Sequence, residues 1–450
     1  MTIKLPEYTF PQHFLFGVAT AAYQIEGAHD EDGRKPSIWD AFSKMPGRVH
    51  NGDTGDVACD HYHRWQSDLD LIKSMQMDAY RFSIAWPRVI PGGTGKVNAA
   101  GLGFYDKLID GCLERGIKPF ATLYHWDLPI ELHGHGGWTD RKTAHAFADY
   151  ARVIASHFGD RLESIATLNE PWCASILSHL LGIHAPGEKS IEATVPAIHF
   201  LNLAHGLGVQ AIRSEADVPT GIALNLHSVY PADHTPQHTA AAQRFSDFHN
   251  GAFLDPLFRG SYPESYVEAL ADYLPLQWQA DLTDIHQALD FWGLNYYTPA
   301  RVLDDKHARY PACKQAPVPA TSDKTDIGWE VAPEAFSELL ERVYRDYSLP
   351  PCFITENGAC YNDQPNSGKV TDQRRIDYLE SHLREISRVT ANGLPVKGYF
   401  AWSLMDNFEW AEGYRMRFGL VHVDYETQVR TIKDSGHWYS ALVQSSANRK

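Results

Sequence analysis

Two glutamates carry the strongest chemical signal in this chain. Glu170 stands in Ile165-Ala-Thr-Leu-Asn-Glu-Pro171, and Glu356 in Phe353-Ile-Thr-Glu-Asn-Gly358. Each directly follows an apolar run and has an asparagine beside it. An ionised carboxylate is costly to bury there without partners. One alone reads most simply as a salt-bridge or helix-cap residue. Two at the tops of separate strands, facing one cavity, meet the needs of glycosidic bond cleavage: one proton donor, and one nucleophile or base. The remaining polar and aromatic groups suit a sugar, which offers hydroxyls on its rim and C–H on its faces. Gln24, His125, Asn169 and Glu409 supply polar groups, and Trp126, Trp329, Trp402 and Trp410 supply flat rings. Each tryptophan by itself is more simply core than platform.

Such residues need a frame that converges. Short apolar runs recur at Phe14–Thr20, Asp78–Ile84, Ile117–Tyr124, Ser164–Asn169, Thr220–Asn225, Asp290–Tyr296, Cys352–Glu356 and Val396–Trp402, several of them bounded by Gly, Pro or Asn as strands are. Between most of them lie segments with apolar residues at spacings of three and four: His63–Met75, Gly103–Arg115, Arg141–Phe158, Ile198–Ala216, Pro333–Tyr347 and Asp372–Thr390. Strand and helix in alternation give parallel βαβ units, and eight of them can close into a barrel. An open doubly wound sheet is the structural rival. The barrel is preferred because Asn169, Glu170, Asn225, Asn295, Glu356 and Trp402 all fall at strand ends, which a barrel gathers on one face. The expected fold is therefore α/β, a (β/α)8 TIM barrel, with residues 1–450 as a single domain and long loops on the C-terminal face. Val302–Trp329 has little period of either kind and is expected to run irregularly over that face as a lid or pocket wall.

Other chemistries fit less well. Gly206-Leu-Gly208-Val-Gln-Ala211 resembles a dinucleotide fingerprint, but it lies inside a helical pattern rather than after a strand. Gly92-Gly-Thr-Gly-Lys96 fails as a phosphate loop because Ile90 stands where the first glycine belongs. The pairs His61/His63 and His133/His135 lack a third ligand at metal spacing. Lys118 and Lys397 sit at strand starts, the wrong face for a Schiff base. With 40 Lys and Arg against 56 Asp and Glu, the net charge of −16 disfavours nucleic acid and acidic lipid surfaces as partners and favours a neutral small molecule. Six cysteines without CxxC spacing indicate free, mostly buried thiols. The N-terminal MTIKLPEYTFPQHFLFG has no apolar run of signal-peptide length, and the most membrane-like stretch, Trp172–Ile183, falls short of the roughly 18 residues a span needs. A soluble, cytoplasmic protein is the expectation.

Beside this reading, the chain resembles glycoside hydrolase family 1, and among its members the bacterial β-glucosidases. The likeness runs nearly end to end. FPQHFLFGVATAAYQIEGAHDEDGRKPSIWDAF from Phe10 to Phe42 resembles the family's N-terminal signature. Tyr80-Arg-Phe-Ser-Ile-Ala-Trp-Pro-Arg88, Tyr124-His-Trp-Asp-Leu-Pro129, Thr167-Leu-Asn-Glu-Pro171, Gly293-Leu-Asn-Tyr-Tyr297, Ile354-Thr-Glu-Asn-Gly358 and Asn407-Phe-Glu-Trp410 through Arg417-Phe-Gly419 follow in family order.

That resemblance implies a retaining β-glucosidase acting on terminal β-D-glucosyl residues of cellobiose, short cello-oligosaccharides and aryl β-glucosides, with β-galactosidase and β-fucosidase side activity. It implies Glu170 as acid/base after the fourth strand and Glu356 as nucleophile after the seventh. Gln24, His125, Asn169, Glu409 and Trp410 would bind the glycone, with Trp402 as its floor. Trp126 and Phe418 would join the substrate site, Trp329 would flank the leaving group, and Arg81, Asn295 and Tyr297 would hold Glu356. No metal or organic cofactor is implied. Three rival readings are weighed: a 6-phospho-β-glucosidase, a non-catalytic sugar-binding barrel, and a phosphate-handling isomerase barrel. The last would want a Gly-rich phosphate site after the seventh and eighth strands, where this chain has Glu356, Asp406 and Glu409.

Overall fold

The computed structural model describes Tyr8 and residues 10–447. Eight parallel strands close into a barrel: β1 (Leu15–Ala19), β2 (Ala79–Ser83), β3 (Lys118–Tyr124), β4 (Ser164–Asn169), β5 (Thr220–Asn225), β6 (Trp292–Tyr296), β7 (Cys352–Asn357) and β8 (Val396–Trp402), with β8 pairing back onto β1. Strands covered on both faces carry near-continuous apolar runs, which is why these segments do not alternate. The barrel is filled from below. Phe120, Phe353 and Phe400 meet inside it with ring centroids 5.0 to 6.4 Å apart, beside Ala19 and Ala79. Polar groups can therefore line only the upper end.

The expected helices form with small shifts of boundary. Arg141–Phe158 is capped by the Asp140 side chain, which accepts from Lys142 N, and it buries Ala144, Phe147, Ala151, Ile154 and Phe158 at spacings of three and four. The helix expected at Ile198 begins at Ile191, where Ser190 caps it. Pro196 lies in its second turn, so the ring disturbs one early hydrogen bond and does not end the helix. The decoy glycines are packing devices in this same helix. A Cβ on Gly206 would stand 2.0 Å from the Asp284 carbonyl oxygen, and one on Gly208 would meet the Phe147 ring.

One expectation needs correction. Val302–Trp329 is not irregular throughout. Ala300–Asp304 pairs in parallel with Val229–Pro231 and antiparallel with Cys313–Gln315, forming a small three-stranded sheet. Val302 is buried in it. Both partner strands have only three residues, so neither leaves a legible period. The loop beyond carries Trp329 to the barrel mouth. It is pinned there by Glu330, which accepts from Arg301 at 2.8 and 2.9 Å and from Ser322 at 2.8 Å.

Candidate active site

The strand tops bring the two glutamates into one hydrogen-bonded chain. Arg81 of β2 lies in register with Ala19 and Phe120, whose side chains help fill the barrel, and it reaches up to the barrel mouth. Its Nη1 donates to Glu356 Oε1 at 2.6 Å, and its Nη2 to Asn169 Oδ1 at 2.7 Å. Asn295 Nδ2 donates to that same Asn169 oxygen at 3.0 Å and to Glu170 Oε1 at 2.6 Å. Tyr297 OH donates to Glu356 Oε2 at 2.7 Å. Both glutamates are nearly closed off from solvent, at 5% and 3% exposed. Glu170 has a left-handed φ of +46°, and Trp126 and Trp410 also have positive φ. Non-glycine residues in that region cost about 1–3 kcal/mol each and cluster where a site must aim side chains.

Asn295 lies between the two glutamates. Besides the expected support of Glu356, its side-chain NH2 bonds to Glu170 and Asn169. The Thr355 hydroxyl donates to Asn295 Oδ1 at 2.6 Å, which turns the NH2 towards Glu170. Hydrogen bonding by its side chain also favours the charged form of Glu356.

The expected sugar contacts gather on one side. His125 is sandwiched between Trp402 and Trp410, each 5.9 Å away and nearly parallel. Gln24 donates to Asn407 Oδ1 and to the Phe408 carbonyl, leaving its buried Oε1 without a protein partner. His125 Nδ1 and Glu409 Oε2 are likewise buried with no partner within the protein. Such groups are costly unless something completes them. Trp329 and Phe418 pack against each other and against Tyr297. Trp126 stands behind this group: its ring backs Trp410 at 4.6 Å, and its N–H is taken by the Asn169 carbonyl at 2.8 Å.

Charges follow from burial and neighbours. Burial, then the Glu356 charge, pushes Glu170 up to about 7. Burial also raises Glu356, but Arg81 and Tyr297 oppose it there, so negative charge in the pair settles on Glu356. Glu409 is pushed up to about 8 by burial, then by Glu356 and Glu170. Burial, then Arg81, keeps His125 neutral, well below the ordinary histidine range. Two acids, Glu170 and Glu409, are thus raised beside one carboxylate held by a cation, with unpartnered hydrogen-bonding groups and flat rings alongside.

A profile for Glycosyl hydrolase family 1 matches residues 6–448. The chain belongs to glycoside hydrolase family 1. Within the family it is 60% identical over 435 residues to a β-glucosidase of Agrobacterium sp., covering 96% of this chain and 95% of that protein. It is 48% identical to β-glucosidase A of Thermotoga maritima, over 97% and 98% of the two chains. The solved structure of virulence factor SghA from Agrobacterium tumefaciens superimposes with a TM-score of 0.95 at 61% identity, over 96% of this chain and 97% of that one, and SghA has also been solved with its substrate analog salicin.

The structure places the decoys elsewhere. His61 bonds to Asp68 at 2.8 Å, Lys118 to Glu163 at 2.5 Å, and Lys397 lies exposed at the foot of β8. All six cysteines are free, five of them buried. Among the described residues there is no group of three or more metal-ligating side chains and no helix long and apolar enough to cross a membrane. Two further residues belong to the site: Thr355, which orients Asn295, and Cys173, whose Sγ lies 2.9 Å from Glu170 Oε2. The available signal for Cys173 was its position three residues after Glu170, at the opening of the segment that follows β4.

Proposed function

We propose that this protein is a retaining β-glucosidase, acting on cellobiose, short cello-oligosaccharides and aryl β-glucosides, with side activity on β-galactosides and β-fucosides. The observation that carries the reading is the unequal pair at the barrel mouth. Glu356 alone holds Arg81 and Tyr297, while Glu170 is pushed up to about 7 by burial and by Glu356.

In the first step Glu170 gives its proton to the glycosidic oxygen, whose bond to C1 breaks, while a Glu356 oxygen bonds C1 and forms a glycosyl ester. Esterification removes the Glu356 charge. The main electrostatic influence raising Glu170 after burial is then gone, and its pKa falls. Glu170 can now take a proton from water as that water attacks C1 and returns the electron pair to Glu356. Gln24, His125, Asn169, Glu409 and Trp410 bind the glycone over Trp402, with Trp329 at the leaving-group side and Phe418 and Trp126 supporting the walls. We take residues 1–450 as one catalytic domain. The free cysteines fit a reducing, cytoplasmic setting.

The test pairs two variants on aryl β-glucosides. Glu356→Ala should lose orders of magnitude on every substrate, and azide should restore turnover with an α-glycosyl azide product. Glu170→Ala should keep glycosylation by good leaving groups and give a β-glycosyl azide. If the two respond alike to leaving group and azide, the assignment of roles fails.

A further inference from the structure

The two oxygens of Glu170 are not equivalent, and the hydrogen-bond chain ending on them decides which can carry the proton. Arg81 has donors only. The Asn169 atom 2.7 Å from its Nη2 must therefore be the carbonyl oxygen. The Asn295 group 3.0 Å from that oxygen must in turn be the NH2, in agreement with the Thr355 hydroxyl donating to Asn295 Oδ1. This NH2 also donates to Glu170 Oε1 at 2.6 Å. A proton on Oε1 would face a donor, so the proton belongs on Oε2. The partner of Oε2 is the Cys173 thiol, at 2.9 Å. A thiol can donate through S–H and accept weakly through sulfur.

We propose that Cys173 is a positioning residue for the acid: its thiol holds Oε2, the proton-bearing oxygen of Glu170, accepting from it while it is protonated and donating to it once the proton has left. The proposal rests on the reading of Glu170 as the acid/base. The local backbone supports it. Glu170 turns through its left-handed φ, Cys173 N donates to the Glu170 carbonyl at 2.9 Å, and a π-helical segment, Cys173–Leu180, begins at the cysteine. π-Helical turns often occur at functional sites. The titratable and charged groups set towards Glu170 are Glu356 from β7, Arg81 from β2, Tyr297 beyond β6, Glu409 from the loop after β8, and Cys173 itself. Burial, then the Glu170 charge, holds the thiol well above its usual range, so it stays neutral and does not compete as a base.

In the first step the Oε2–H bond breaks, its proton passes to the glycosidic oxygen, and the C1–O electrons leave with the aglycone. The S–H then turns to the new charge on Oε2. In the second step a proton from the attacking water returns to Oε2 and the thiol reverts to acceptor. No redox change occurs at sulfur.

The experiment compares Cys173→Ala, Cys173→Ser and Glu170→Ala in the full chain. It measures kcat/KM for β-glucosides of graded leaving-group pKa, with a pH profile for each, per active site titrated by the dinitrophenol burst. Cys173→Ala should lose about tenfold on alkyl glucosides, the worth of one hydrogen bond to a charged group, and much less on the dinitrophenyl glucoside. Its basic limb should move to higher pH, because a donor to the ionised acid has gone. Cys173→Ser, which can donate and accept, should restore both. Equal losses across leaving groups, an unmoved limb, or a serine variant that behaves like alanine would overturn the proposal. If Glu170→Ala itself shows no leaving-group dependence, the acid reading fails. If Glu170→Ala behaves as an acid variant and Cys173→Ala does not follow it, only the role of the thiol fails.

Discussion

Arg81 donates to Glu356 across 2.6 Å, and both side chains are almost wholly buried. A buried pair of this kind contributes little net stability, but removing one partner strands a charge at a cost of about 3–5 kcal/mol. Its use here is to keep one carboxylate ionised beside another that is not.

Arg81→Met should therefore raise the pKa of Glu356. The acidic limb of kcat/KM belongs to the group that must be ionised, so it should move to higher pH, with a fall in activity at every pH. Tyr297→Phe should shift that limb less and lower kcat/KM by about tenfold, one hydrogen bond to a charged group. A pH profile of each variant checks this; an unmoved acidic limb in Arg81→Met would count against Glu356 as the ionised partner.

The basic limb should report Glu170. The acid must be protonated, and burial with the Glu356 charge pushes it up to about 7. kcat/KM on alkyl glucosides should fall as pH rises through about 7 and should hold below it until Glu356 protonates. In the enzyme trapped as a 2-fluoroglucosyl ester, the Glu170 value should drop, as carbon-13 NMR of labelled glutamate would show. A limb at the ordinary glutamate value of about 4.3 would contradict the coupling.

Stereochemistry follows from double displacement. The first sugar released from an aryl β-glucoside should be the β-anomer, visible in early proton NMR spectra. An α-anomer appearing first would exclude a covalent intermediate at Glu356.

The barrel was legible because strands buried on both faces leave unbroken apolar runs, and eight of them stood out, each within a few residues of its place. The pair Glu170 and Glu356 was legible because a charged residue at the end of such a run is conspicuous. What was not legible is local aim. No pattern says that Thr355 turns Asn295 towards Glu170, or that the turn at Glu170 brings Cys173 to Oε2, because these depend on side-chain rotation and a single positive φ. The three-residue strands around Ala300–Asp304 escaped for a different reason, being too short for a period.

Glu409 is the residue proposed to set which sugar is refused. Arg415 pairs with Glu412 and Arg417 with Asp406, so neither is free to pair with a phosphate beside Glu409. A 6-phosphate placed there would bury its charge with neither of these arginines to pair it, at a cost of several kcal/mol. Hydrolysis of plain β-glucosides and near-zero rates on their 6-phosphates are expected. Glu409→Ser should weaken the former and relax the latter only slightly. Comparable efficiency of the unaltered enzyme on both would move the protein to the phospho-glycosidase branch.

Glu356 should become covalently glycosylated during turnover. Incubation with 2,4-dinitrophenyl 2-deoxy-2-fluoro-β-D-glucoside, followed by proteolysis and mass spectrometry, tests it directly. One fluoroglucosyl group is expected, on the peptide containing Phe353-Ile-Thr-Glu-Asn-Gly358 and on Glu356 within it. A label on Glu170, or inactivation with no covalent sugar, would contradict it.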